Sequence, residues 1–454
     1  IISLLNAMVS VRNNVMILTG LLLASLAASE PQSEGIPFGK PTREKYFQFQ
    51  PGFLNFNHGG FGATPGLVRE AQSGFVDQQE AQPTAWFASG GYQKILSDVR
   101  PRLAEMMNAN SSDVVFLDDA SSGLNAVLRS LPWQPQDVML LTSAAYAVLP
   151  NTGKWLQKRY GIQILQAEVH ESAEAILEPV ERALLELPQP CKLRLAVFDH
   201  VSSYPPAILP VARLARMVKA RCAETLVLLD GAHALGQVPI DMKQMAEAGV
   251  DAYVTDGHKW LMAPKGSGAL WASRSIQDIL EPAIISSDNA PSTKFQDRFD
   301  YIGTRDYTSW CAMGAALDFR EMLGGEEKIQ GYTSQLAGWA GSMMASAFGT
   351  ETVVPLTMTP SMFAVRLPIP SAWPTDAQQR CAGVIAGGLI EKYSMQVISF
   401  SVHQTSGNVT HWIRVSSQIY LEQQDFRALT HAVLTLRQSC KSRVGEGLGP
   451  EVVV

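Results

Sequence analysis

An aspartate, Asp230, closes the apolar run TLVLLD, and a lysine, Lys259, follows the next run in DAYVTDGHKW. A carboxylate at the end of a wholly apolar strand loses its water and needs a cation or a hydrogen-bond donor. A lysine in the turn after the next strand would stand at the same sheet edge. The commonplace outcome is an ion pair. The chemical outcome divides labour: the lysine amine forms a Schiff base with an aldehyde cofactor, while the aspartate keeps a pyridine nitrogen protonated so that the ring accepts electrons. Pyridoxal 5'-phosphate needs that pair, and Lys259 is the candidate catalytic residue.

Such a cofactor also needs a phosphate cup. The stretch DDASSGLNAVL offers a strand end, a hydroxyl-rich turn and a helix start, with Ser121, Ser122 and Gly123 at the turn. Free N–H groups and the helix dipole there favour an anion, although such a turn taken alone is more often an ordinary serine cap. His258 can reach the phosphate or cap its turn. Tyr146, closing LLTSAAY, can lay its ring on the cofactor or sit at a rim, and His233 is in reach of the same ring or is a satisfied loop histidine. Arg414 lies in the apolar stretch HWIRVSS, and its planar fork suits a substrate carboxylate. Its ordinary alternative is a salt bridge to Glu422 or Asp425, and Arg305 and Arg366 are rival anchors.

These groups need a frame. From DVVFLDDA to SGALWAS, short continuously apolar strands alternate with helical stretches such as PVARLARMVKARCAE. That pattern predicts an α/β fold with a mostly parallel sheet covered by helices on both faces. Ligands of such sheets sit at the carboxyl ends of the strands. The polar residues fall there: Asp118 with Ser121, Ser143 with Tyr146, Asp199 with His200, Asp230 with His233, and Asp256 with Lys259. Beyond about Trp310 the pattern becomes a smaller α+β domain. The division expected is a leader at 1–36, an extended arm at 37–60, a large domain at 61–310 and a small domain at 311–454. Ser172 is read as the cap of the helix SAEAILEPVERALLEL, and the loop IISSDNAPSTKFQDRF as a wall of the substrate pocket.

The 454 residues are 46% hydrophobic and 17% charged, with a net charge of -6. That allows a sizeable core and gives no basic footprint for nucleic acid. The five cysteines show no metal-ligand or redox spacing, so reduced, packed thiols and no metal site are expected. The apolar stretch NVMILTGLLLASLAASE has the length of a signal peptide. A cytoplasmic location is favoured, with a secretory or membrane-associated leader at residues 1–30 left open.

The run DGAHALGQVPIDM, followed by GVDAYVTDGHKWLMAPKGSGALW, resembles the cofactor-binding segment of class V aminotransferase-like enzymes of fold type I. It is most similar to their isopenicillin N epimerase, cysteine desulfhydrase and ergothioneine carbon–sulfur lyase branch. Asp230, Ala232 and His233, then His258, Lys259 and Trp260, carry the likeness. NHGGFGATP matches the branch's opening pattern and implies Asn57 and His58 at the substrate; Gly60 stands where that pattern has serine. FDHVSSYPPAILPV implies Asp199, His200 and Ser203 beside the cofactor oxygen. YIGTRDYTSW implies that Gly303 and Thr304 reach the phosphate of a second subunit, and hence a homodimer with shared sites, with Arg305 near the substrate. WIRVSSQIY implies Arg414 as the carboxylate anchor. The resemblance runs from about Phe38 to about Leu429.

The activity expected is a pyridoxal-phosphate enzyme acting on an amino acid or its conjugate. A carbon–sulfur lyase needs one base and a leaving group, whereas an epimerase needs an acid on each face. No second-face acid stands out, so the lyase leads and the epimerase follows. A cysteine desulfurase needs a cysteine in a mobile loop, and no cysteine lies in an obvious Gly/Ser-rich loop. A catalytically silent binding protein would not need Asp230, His233, Lys259 and Arg414 together.

Overall fold

The computed structural model describes residues 37–168, 176–287, 294–403 and 409–444. The leader, Ser172 and residues 288–293 of the expected pocket loop lie outside them. From Phe38 onward the described residues form one compact unit.

Its centre is a seven-stranded sheet: β1 (Val114–Leu117), β2 (Val138–Thr142), β3 (Gln163–Ala167), β4 (Leu193–Asp199), β5 (Leu226–Asp230), β6 (Ala252–Asp256) and β7 (Gly268–Ala272). The strands lie in the order β1-β7-β6-β5-β4-β2-β3. Pairings from β6 through to β3 are parallel, and β7 runs antiparallel to both β6 and β1. Every residue of β1, β2, β6 and β7 is buried, which is why these strands read as unbroken apolar runs rather than alternations. Helices α1 (Ala120–Ser130), α2 (Val148–Tyr160), α3 (Leu177–Leu185), α4 (Val211–Arg221) and α5 (Met242–Glu247) make the connections. Gly123 lets α1 lie close on the sheet: a Cβ there would come within 2.5 Å of Leu117 and 2.8 Å of Val254.

The parallel register brings the carboxyl ends together. Asp199 pairs level with Asp230, and Asp230 with Val254, so Asp256 stands two residues further along β6.

A three-stranded antiparallel sheet follows, with β8 (Met362–Arg366), β9 (Ile398–His403) and β10 (Val409–Ser416) in the order β9-β10-β8. Helices α6 (Gly325–Phe348), α7 (Thr375–Tyr393) and α8 (Gln423–Val444) pack around it.

Two expectations are corrected. The arm at 37–60 is not simply extended: Lys40–Tyr46 is helical. Its Arg43 bonds Asp425 at 2.8 Å and the carbonyl of Tyr420 at 2.7 Å, tertiary contacts that a seven-residue helix needs and its own sequence does not announce. Leu54–Asn55 then pairs in parallel with Met395–Gln396. The cysteines are not all reduced: Cys191 is bonded to Cys222 and Cys381 to Cys440, while Cys311 is free and buried. The partners are 31 and 59 residues apart, so only the folded topology brings them together.

Candidate active site

Asp199 and Asp230 end neighbouring strands and are both buried. The Ala232 N–H donates to Asp230 Oδ1 at 2.9 Å, and Asp199 Oδ2 is buried without a hydrogen-bond partner. Burial pushes the Asp230 carboxyl up to about 6, opposed by the Ala232 N–H and the charge of Lys259. Burial, and then the neighbouring Asp230 charge, hold Asp199 well above the usual carboxylate range. Two close carboxylates with an unmet acceptor call for a cationic N–H. A protonated pyridine nitrogen is such a group, so this end of the site fits pyridoxal phosphate. His200 lies beside the pair, with Nδ1 2.8 Å from the Tyr253 hydroxyl. Gly231 is required here, because a Cβ would fall 2.3 Å from the Tyr253 ring.

Lys259 sits in the turn after β6, and its backbone is held from several sides. His58 Nε2 lies 2.9 Å from the Lys259 carbonyl, and His58 Nδ1 3.0 Å from the Tyr420 hydroxyl. Gly62 passes so close that a Cβ would lie 1.8 Å from the His258 carbonyl. Gly236, at φ +84°, is also close: a Cβ there would lie 2.6 Å from the Trp260 carbonyl. Arg320 is buried beneath this turn. It donates to the carbonyls of Trp260 and Gly236 at 2.8 and 2.9 Å, and its charge is met by Glu326. Trp260 is packed against His58 with 5.2 Å between ring centroids. Arg320 and the two glycines were not singled out from sequence; an arginine in the apolar helix stretch AALDFREML was the available signal.

The amine of Lys259 meets Asp256, not Asp230, at 2.8 Å. Asp256 Oδ1 also accepts from the Ala120 N–H at 2.7 Å. At the N-terminus of α1, Asp119 caps the helix: its carboxylate accepts from the Ser122 N–H at 2.7 Å and from the Ser122 hydroxyl at 2.8 Å. Ser121, Ser122 and Gly123 thus sit at a helix start, as expected, but with two carboxylates already on it. Gly123 is explained by packing. His258 Nδ1 is 3.7 Å from Asp256 Oδ1; burial depresses its proton affinity, partly restored by Asp256. His233 is held well below its usual range by burial and by the charges of Lys259, Arg414 and His258, and it accepts from the Trp260 indole at 3.5 Å.

Arg414, on β10, donates to Ser203 Oγ at 2.6 Å, to the Ser203 carbonyl at 3.2 Å and to Asn57 Oδ1 at 3.1 Å. Its Nε is buried without a partner. The acids that could have paired it are engaged elsewhere: Asp425 binds Arg43, and Glu422 accepts the Lys40 N–H at 2.9 Å. A buried guanidinium facing neutral groups has capacity for an anion. Among the rivals, Arg366 pairs with Glu351 and Arg305 with Asp118. Gly60 matters to this geometry, since a Cβ there would lie 2.7 Å from the Asn57 amide.

The structure therefore gathers Asp199, Asp230, His233, His258 and Lys259 at one edge, and Asn57, Ser203 and Arg414 into a second cluster. Tyr146 stands 58% exposed beyond β2. Gly303, at φ +107°, has open space around it, and Thr304 bonds the Tyr301 hydroxyl at 3.1 Å.

The aminotransferase class-V family model matches residues 68–429. The L-cysteine desulfhydrase-like protein lolT2 of Epichloe uncinata is 26% identical, over 92% of this chain and 97% of its own length. Isopenicillin N epimerase of Streptomyces clavuligerus is 27% identical, over 84% and 94%. The cysteine desulfurase of Thermococcus onnurineus superposes with a TM-score of 0.68 at 17% identity, covering 88% of this chain and 98% of that one.

Proposed function

The chain belongs to the class-V aminotransferase family of pyridoxal-phosphate-dependent enzymes, and from that premise we propose that it is a carbon–sulfur lyase acting on cysteine or a cysteine conjugate. When bound, pyridoxal phosphate supplies an aldehyde that condenses with the substrate amine and a ring that takes up the electron pair of a broken Cα–H bond. Asp230 and Asp199 would hold its ring nitrogen, with His233 and His200 beside them. Ser121, Ser122 and His258 would lie at its phosphate, and Tyr146 at the open side of the ring.

The observation that carries the proposal is the pairing of one amine with one guanidinium. Lys259 Nζ, held by Asp256 at the strand ends, takes up the proton from Cα and can hand it to the departing sulfur. The Arg414 fork, backed by Asn57 and Ser203, binds the α-carboxylate and so fixes the direction of the Cα–H bond. Asp256, against Lys259 Nζ, can accept the proton that the amine carries. Expelling a β-sulfur substituent asks for nothing further at the opposite face. An epimerase would, and the imidazoles at the site, His58, His200 and His233, are held in their neutral forms by burial.

A homodimer is part of the same proposal. The Gly303–Thr304 turn projects into open space, and Phe61 and Ile285 are 73% and 69% exposed. Phe61 ends the short helix that begins at His58, so this exposed ring borders the site. An active monomer in sedimentation at assay concentration would contradict the dimer.

The test is a screen of the purified protein against L-cysteine, cysteine-conjugate sulfoxides and penicillin precursors, reading pyruvate, reduced sulfur and stereochemistry. Pyruvate with sulfur release is expected. Inversion at Cα without release would favour the epimerase.

A further inference from the structure

The carboxylate of Asp256 meets a helix start and the lysine amine at once. It ends β6, is buried, and divides its oxygens between the Ala120 N–H at 2.7 Å and the Lys259 amine at 2.8 Å. Ala120 is the first residue of α1, and its N–H is one of the donors a helix start offers to an anion. Asp119 occupies a second donor, two residues on, through its cap to the Ser122 N–H. Asp118, on the same turn, is neutralised by Arg305 at 2.6 Å. The phosphate end of this site is therefore lined with carboxylates, and Asp118 Oδ1 there and Asp199 Oδ2 at the ring end are both buried acceptors without a partner.

We propose that Asp256 sets how the cofactor is recognised: its carboxylate competes with the phosphate for the N-terminus of α1, so that the site discriminates weakly between the phosphorylated cofactor and the same ring without phosphate. The strength of recognition then lies in the ring-nitrogen carboxylates and the lysine. A phosphate seated at α1 would take over the Ala120 N–H, and Asp256 would lose that donor. An uncharged residue at 256 would remove one negative charge from beside the phosphate and hold that N–H less strongly than a carboxylate does. This inference rests on placing the phosphate at the start of α1.

The experiment compares equilibrium binding of pyridoxal phosphate and of pyridoxal to the full chain freed of cofactor, by ultrafiltration, in wild type, Asp256→Asn and Asp256→Ser. Any change in Lys259 reactivity affects both ligands alike, so the ratio of the two dissociation constants isolates the phosphate. The ratio should move at least tenfold in favour of pyridoxal phosphate in both variants. An unchanged ratio, or one that moves the other way in whichever variant folds, overturns the proposal. Ser121→Glu is the companion: a carboxylate added at the helix start should shift the ratio against pyridoxal phosphate. If that variant leaves the ratio untouched, the phosphate does not sit at α1 and the placement falls with the proposal. If it lowers the ratio while the Asp256 variants do not raise it, the placement stands and the role of Asp256 alone is refuted.

Discussion

At one pole of the site, Asp199, Asp230 and Lys259 come from two adjacent strand ends and the turn after the next strand, and the parallel register sets their spacing. At the other pole, Arg414 is joined to Ser203 across 211 residues and to Asn57 across 357. The first pole is rigid because sheet pairing and the buried brace of Arg320 hold it. The second depends on the small three-stranded sheet keeping its place against the arm, through Leu54–Asn55 on Met395–Gln396 and the Ser416 N–H on the Phe56 carbonyl at 2.6 Å. With the roles proposed above, changes at the first pole should affect both cofactor and substrate binding, and changes at the second only the substrate.

The largest effect is expected at the first pole. Lys259→Ala should abolish turnover and the covalent link to the cofactor, read by borohydride reduction and peptide mass mapping. A cofactor-labelled peptide that survives the substitution would place the link at another lysine. Asp230→Asn should keep the link but lower turnover by about a hundredfold or more, since the ring loses its charged partner. Near-normal rates would assign that partner to Asp199.

The pH dependence of the same pole follows from its direction of shift. The Asp230 carboxyl titrates at about 6 in the fold, so it is ionised above that pH and protonated below it. Affinity of the cofactor-free protein for pyridoxal should therefore fall as the pH drops through about 6. In Asp230→Asn that dependence should be reduced, and an identical profile in the variant would remove Asp230 from the ring.

The second pole should respond more modestly and more selectively. Arg414→Lys retains the charge and loses the fork, which should weaken substrate binding by about 1.5–3 kcal/mol and leave the cofactor's absorption spectrum unchanged. A lost spectrum would show that the two poles are coupled. Ser203→Ala removes one hydroxyl from Arg414 but not the neighbouring carbonyl, so a rise in apparent KM equivalent to about 1 kcal/mol is expected. An effect as large as that of Arg414→Lys would mean that the serine itself touches substrate.

How legible each pole was follows from its construction. Strand ends of a parallel sheet share one edge, so an acid or lysine closing an apolar run can be placed there from sequence alone. That argument located Asp199, Asp230, His233 and Lys259. It could not say which acid the lysine meets, because Asp230 and Asp256 end neighbouring strands and both are in reach. Nor could it show that Gly123 serves packing against Leu117 and Val254. For Arg414, the residue type pointed to an anion, yet only the fold showed that Asp425 is taken by Arg43.

What the amino-acid sequence determined by itself was the alternation of buried strands and helices, the edge on which the chemistry gathers, and the residue types able to perform it. Those properties are local: they follow from apolar runs, caps and the side chains' own chemistry. Tertiary structure alone decided the Asp256–Lys259 pair, the two disulfides, the helix in the arm and the Asn57–Ser203–Arg414 cluster. Each of these rests on contacts between elements that the folded sheets and helices bring together, and no local pattern carries that information.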